Sequence, residues 1–149
     1  MQRFAIAAVL GLVTALPASA QFQRPEQAVK YRQSVMALQN AHLSRLFAMT
    51  SGRLPFDAKL ANENIEIVAM MNRLPFVAFI EGSEKVGNTQ AKPEVWTQKD
   101  KFAAAAAKSQ EDVLKLVAAG KTGNLDQIKA ATSAVGQSCK ACHDVYQAN

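Results

Sequence analysis

The sequence predicts an all-α protein, an up-down-up-down antiparallel bundle of four helices. Three observations predict it. Apolar side chains recur at helical spacing in four stretches, strand-like alternation is nearly absent, and Gly- and Pro-containing punctuation divides the stretches. Mostly short connections then favour antiparallel neighbours.

The first stretch runs from about Pro25, a residue suited to a first helical turn, to about Met49, and Ser51, Gly52 and Pro55 end it. At about 100° per residue, Val29, Met36, Leu43 and Phe47 share one face, with Tyr31, Val35, Leu38, His42 and Met49 roughly opposite. A helix in an isolated bundle needs only one buried stripe. The second stripe therefore points to a subunit contact, and a homodimer through helix one is expected. The alternative is a broad core face with a few exposed apolar residues.

The second stretch begins at Asp57, read as an N-cap, and sets Leu60, Asn64, Ile67, Met71 and Leu74 along one face until Pro75 interrupts it. A loop holding Gly82, Gly87 and Pro93 follows. The third helix is expected from about Trp96 to Ala119, with Phe102, Ala106, Ser109, Val113, Leu116 and Val117 on one side. Its small residues from Ala103 to Ala107 would let a neighbour approach closely. Gly120 to Gly123 break the chain, and Asn124 caps a last helix that runs to the C-terminus.

Residues 1–20 read as a secretory signal peptide. Arg3 supplies the basic start, Phe4 to Leu16 an apolar run too short to span a bilayer, and Ala18, Ser19 and Ala20 the cleavage pattern. Residues 21–149 are then one domain with enough chain for one core. The chain carries 17 Lys and Arg against 12 Asp and Glu, a formal charge of +5 that removal of Arg3 lowers by one. Those charges are scattered and aromatic residues are not interleaved with them, so no nucleic-acid surface is indicated. No other stretch has the length of a membrane span, and the expected address is the periplasm of a Gram-negative cell.

Both cysteines fall near the C-terminus, in the run Cys139, Lys140, Ala141, Cys142, His143. On a helix these three reactive side chains share one face within about 100°, together with Leu125, Ile128, Val135 and Tyr146, so the motif points into the bundle core. Cys-x-x-Cys-His is the attachment signature of c-type haem. Two thiols one turn apart suit thioethers to two vinyl groups, and the adjacent imidazole suits the iron. A thioredoxin-like redox pair would be expected near a βαβ pattern, which the chain lacks. A structural disulfide would close a tiny loop and leave His143 unused. Zinc would need His42, which lies far upstream of the motif. The haem reading explains most, and disulfide chemistry is its main rival.

The placement of the motif on the last of four helices resembles the class II c-type cytochromes, specifically the cytochrome c′ family. The resemblance extends over residues 21–149, through Gln21 to Glu26, Ala28 to Ser34, Leu74 to Phe79, Lys92 to Trp96 and the terminal motif. It implies one covalent haem c on Cys139 and Cys142 with His143 as the iron ligand. It also implies contacts to the haem near its propionates from Arg32 and Gln33, and a further contact from Gln90. The iron of this family is five-coordinate, which puts Met36 at the position that blocks the second face, with Phe76 and Phe79 completing that wall. Low-spin members of the class use a methionine from this helix as sixth ligand, so a six-coordinate electron carrier with Met36 on the iron is the alternative. His42 falls on the opposite stripe and is read as a surface or subunit contact.

The function implied is one-electron transfer and binding of small gases, nitric oxide and carbon monoxide, without enzymatic activity. The redox partner protein is not legible. A wall of Met36, Phe76 and Phe79 offers no hydrogen-bond donor, so nitric oxide and carbon monoxide are expected to be favoured over oxygen. Members resembling this chain carry Arg or Lys four residues after the histidine, where Gln147 stands here. On a continued helix that residue would lie over the proximal side, and its neutrality predicts a lower reduction potential than theirs.

Overall fold

The computed structural model describes residues 21–148, so the expected signal peptide lies outside the described residues. From Pro25 onward, the described residues form five α-helices and a 3-10 helix in order. They are α1 (Pro25–Thr50), α2 (Ala58–Met71), the 3-10 helix (Leu74–Ala78), α3 (Glu94–Thr97), α4 (Lys99–Thr122) and α5 (Leu125–Tyr146). The four long helices pack in a ring, α1 on α2, α2 on α4, α4 on α5 and α5 on α1. No described helix is long and apolar enough to cross a membrane.

Local chemistry sets most boundaries. Pro25 opens α1. Asp57 accepts the backbone N–H of Leu60 at 2.9 Å, and Asn124 accepts that of Gln127 at 3.0 Å, so both expected caps form. Gly123 closes α4 at φ 65°, a left-handed conformation that a side chain would disfavour. Two expectations need correcting. Leu74 does not belong to α2: Pro75 has no N–H to offer the Met71 carbonyl, and the helix stops at Met71 before the chain resumes as the 3-10 turn. The third expected helix is divided, because the Trp96 indole N–H bonds the Ile80 carbonyl at 3.2 Å and Val95 is buried, anchoring α3 as a separate turn before α4.

The stripe that α1 buries runs through Val29, Arg32, Val35, Gln39, Leu43, Leu46 and Met49. Val35 and Met49, expected on the outer stripe, are therefore core residues, while Met36 and Phe47 are only half-buried. Leu38 is 44% exposed. His42 is half-buried, its Nδ1 2.8 Å from Asn64 Oδ1, which makes it a tie between α1 and α2 rather than a surface residue. The outer stripe that pointed to a subunit contact is thus largely absorbed within one chain.

Close helix approach also falls elsewhere than expected. Ala103, Ala104 and Ala107 are exposed. The tight contacts are at Gly120, where a Cβ would lie 2.8 Å from Asn62 Oδ1, and at Gly136, where it would lie 2.6 Å from Phe47 Cζ. The dry core occupies one half of the bundle, built from Leu43, Leu46, Ile65, Val68, Val113, Leu116, Ile128 and Val135. The other half encloses a cavity.

Candidate haem site

α5 buries Ile128, Thr132, Val135 and Tyr146, and Cys139, Cys142 and His143 line a cavity of about 410 Å³. Leu125, expected on the same buried face, is 38% exposed at the helix start. The two cysteines are not joined in a disulfide. Burial pushes both thiols above their ordinary value, opposed at Cys139 by a hydrogen bond with Ser109 and reinforced at Cys142 by Cys139. Burial pushes His143 down against the pull of the Asp144 carboxylate, which favours the neutral imidazole that a metal needs.

The same cavity is lined by Met36 from α1, by Phe76 from the 3-10 helix and by Phe79 at its end. Phe102 joins them. Its ring centroid is 4.9 Å from that of Phe79, 5.1 Å from Tyr146 and 5.9 Å from Phe76, in edge-to-face contacts that fix an aromatic wall. Helical periodicity had placed Phe102 and Tyr146 inward, which was the available signal for their part in the site.

Arg32 lies at the rim of the cavity and is 3% exposed. Nη1 donates to the Ala78 carbonyl and to Ser83 Oγ, each at 2.8 Å. Nη2 donates to the Ser83 carbonyl at 3.1 Å and to Thr89 Oγ1 at 2.8 Å. The guanidinium also lies 4.5 Å from the Phe79 ring centroid and 5.7 Å from that of Trp96. Burial pushes it down to about 10 against the pull of Glu84, so it remains a cation at neutral pH. Four of its five N–H groups hold the 78–89 segment, and only Nε–H is left for an anion in the cavity. Its acceptors Ser83 and Thr89 lie 51 and 57 residues away, and nothing in the sequence pairs them with it.

Gln33 donates to the Asn88 carbonyl at 3.1 Å and lines the same rim. Gln90 and Gln147 meet there, with Gln147 Nε2 donating to Gln90 Oε1 at 3.0 Å. Gln147 does not continue the helix as expected. It is the C-cap of α5 with φ −117° and ψ 134°, and its strand-like turn lets Ala148 N–H reach the Gln90 carbonyl and Lys92 N–H reach the Tyr146 carbonyl, both at 2.8 Å. His42 is not on the cavity.

The walls also hold residues beyond the expected Met36, Phe76 and Phe79. Besides the aromatic residues, the cavity is lined by Gln39, Asn72 and Ser109, so it is not wholly without hydrogen-bonding groups. Ser109 stands on the side expected to face inward, whereas Gln39 and Asn72, the C-cap of α2, are not among the residues that periodicity places inward.

A cavity of this size with aromatic walls, two thiols and an imidazole from one helical face, and a single buried cation at its rim fits a flat apolar macrocycle bearing carboxylates. Fold and site together define a four-helix protein of the c-type haem class. A family model described as Cytochrome C' matches residues 27–147. Cytochrome c' of Rubrivivax gelatinosus is 49% identical over 127 residues, covering 85% of this chain and 98% of that protein. Its crystal structure superposes with a TM-score of 0.83, covering 85% of this chain and 99% of that one. Cytochrome c' of Alcaligenes xylosoxydans xylosoxydans is 40% identical over 127 residues, with 85% and 98% covered. A nitric oxide complex of a leucine-to-alanine variant of cytochrome c prime from Alcaligenes xylosoxidans superposes with a TM-score of 0.81 at 38% identity, covering 86% and 98%. A carbon monoxide-bound leucine-to-glycine variant of that protein superposes with a TM-score of 0.80 at 38% identity, covering 86% and 99%. The chain belongs to the cytochrome c′ family and carries its covalently bound haem c.

Proposed function

We propose that this protein binds nitric oxide and carbon monoxide at the iron of its haem and also passes single electrons, without enzymatic activity. Cys139 and Cys142 anchor the group through thioethers, His143 is its protein ligand to iron, and Arg32, Gln33 and Gln90 border its polar edge. Haem supplies an iron centre that changes oxidation state by one electron and takes a diatomic ligand on an open face. The protein side of this chemistry is to hold one imidazole on the proximal wall and to cover the other face with Met36, Phe76 and Phe79. The single observation that carries the reading is an asymmetry in ligands: of the two histidines, only His143 lines the cavity, which it shares with Met36 of α1 and with Phe76 and Phe79. The gas complexes of the Alcaligenes xylosoxidans protein support it.

The periplasm remains the proposed location, after removal of residues 1–20. A homodimer through α1 is retained only on the exposure of Leu38. Sedimentation equilibrium of the purified protein decides that point.

The experiment on function is the optical spectrum of the purified protein, before and after addition of nitric oxide. A five-coordinate iron gives a high-spin ferric spectrum and a ferrous form that takes up the gas. A methionine-to-iron charge-transfer band in the far red, unmoved by the gas, would establish the six-coordinate carrier instead.

A further inference from the structure

Gln39, Asn72 and Ser109 form a polar cluster on the cavity wall, contributed by α1, the end of α2 and α4. All three are buried, at 9%, 3% and 6% exposure. The Gln39 amide nitrogen lies 3.0 Å from Asn72 Oδ1, and Ser109 Oγ lies 3.2 Å from the same oxygen. In that arrangement Asn72 Nδ2 is buried with no acceptor. Two unpaired N–H groups in a buried site cost more than one unpaired carbonyl oxygen.

The same heavy-atom distances serve a second arrangement, with both amides turned over. Asn72 Nδ2 then donates one hydrogen to Gln39 Oε1 and the other to Ser109 Oγ. The serine hydroxyl is free to turn to a helix carbonyl, as serines within helices do. Asn72 is then left with one unpaired acceptor, Oδ1, in place of two unpaired N–H groups. This arrangement leaves the Gln39 NH2 as the end of the amide not held by Asn72. Gln39 follows Met36 by three residues, so the two side chains stand about 60° apart on α1, one turn apart along it.

We propose that Gln39 is a hydrogen-bond donor of the cavity wall next to Met36, held in place by Asn72 and Ser109, and that it bonds a diatomic ligand on the iron. An N–H beside the outer atom of such a ligand favours electron density on that atom. Carbon monoxide and nitric oxide then have weakened internal bonds, and a ligand that takes on more negative charge is favoured most. Asn72 and Ser109 are positioning residues, since they act through the amide they fix. The inference rests on the gas-binding reading above and is separable from it.

The test is the infrared C–O stretch of the ferrous carbon monoxide complex, recorded on the haem-loaded protein and on Gln39→Leu. The native band is expected at lower wavenumber than that of the variant, and to shift on exchange into D2O where the variant band does not. The N–O stretch of the ferrous nitrosyl complex should move in the same direction, and carbon monoxide dissociation should change less than about fivefold, as one weak hydrogen bond allows. Because Gln39→Leu removes the partner of Asn72, the double variant Gln39→Leu/Asn72→Leu provides a second apolar wall, and its band should match that of the single variant. Asn72→Leu alone frees the amide and should broaden or split the band. A native band that coincides with that of Gln39→Leu and ignores D2O overturns the role of Gln39. A protein that forms no carbon monoxide complex overturns the gas-binding reading instead.

Discussion

Among single residues, Arg32 and Gln147 depart furthest from what their types suggest. A helix arginine is ordinarily solvated, yet Arg32 is buried and fastens the 78–89 segment through four hydrogen bonds. Arg32→Leu leaves those acceptors unpaired and is expected to cost about 3 kcal/mol, read as a lower urea midpoint of the haem-loaded protein. Arg32→Lys keeps the charge but not the fork, and should recover less than half of that loss. Gln147 tests charge alone. It lines the cavity, so Gln147→Arg brings a cation towards the haem, disfavours the ferric state and raises the reduction potential. A unit charge about 10 Å away at an effective dielectric near 40 is worth roughly 0.8 kcal/mol, or about 35 mV for one electron. Spectroelectrochemical titration of the two proteins measures it, and an unchanged potential would remove Gln147 as a determinant. That Cys139, Cys142 and His143 share one cavity was legible because their spacing puts them on one face of a helix. The acceptors of Arg32 were not, because a loop's hydrogen bonds leave no periodic trace.

At the level of the elements, caps and breakers were the readable part. Asp57, Asn124 and Gly123 act locally, through their own backbone and that of the next turn, so the residue type is enough to place them. Faces were less readable. On α1 the buried stripe passes through Arg32 and Gln39, polar residues that hydrophobic arithmetic leaves out, and it therefore lies between the two arcs that the apolar residues suggested. Helix spacing was unreadable for a related reason: a glycine inside a helix looks like a defect until its neighbour is known. Gly136 faces Phe47, whose Cζ and Cε2 would lie 2.6 and 3.2 Å from an added Cβ. Gly136→Ala gains about 1 kcal/mol of helix propensity, but displacing the ring costs about 1–3 kcal/mol. A net loss of about 1 kcal/mol is expected in thermal unfolding, and Phe47→Leu in the Gly136→Ala background should return most of it. Stabilisation by Gly136→Ala alone would mean that α1 and α5 are not in close contact there.

The whole molecule divides into halves with different sources of stability. In one half, side chains from all four long helices bury one another: Leu46, Ile65, Leu116 and Ile128 are each fully buried. In the other, Met36, Phe76, Phe79 and Phe102 face the cavity, and the haem is what turns their exposed area into buried area. Composition could indicate one domain, but not that its apolar surface is shared between a protein core and a cofactor, since both use the same residue types. The consequence is a graded response to loss of the group. In Cys139→Ser/Cys142→Ser, produced without covalent haem, amides around Leu46, Ile65, Leu116 and Ile128 should keep slow hydrogen exchange, because their contacts do not involve the cavity. Amides of the Leu74–Ala78 turn, of the 79–93 segment and of the last turn of α5 should exchange at least about tenfold faster than in the haem-loaded protein, since about 1.4 kcal/mol of lost burial suffices for that factor. The bridge between Ala91 and Gln147 should open with them, because both residues line the cavity. Exchange that accelerates equally in both halves would show one cooperative unit, with the haem stabilising the dry core as strongly as the walls around it.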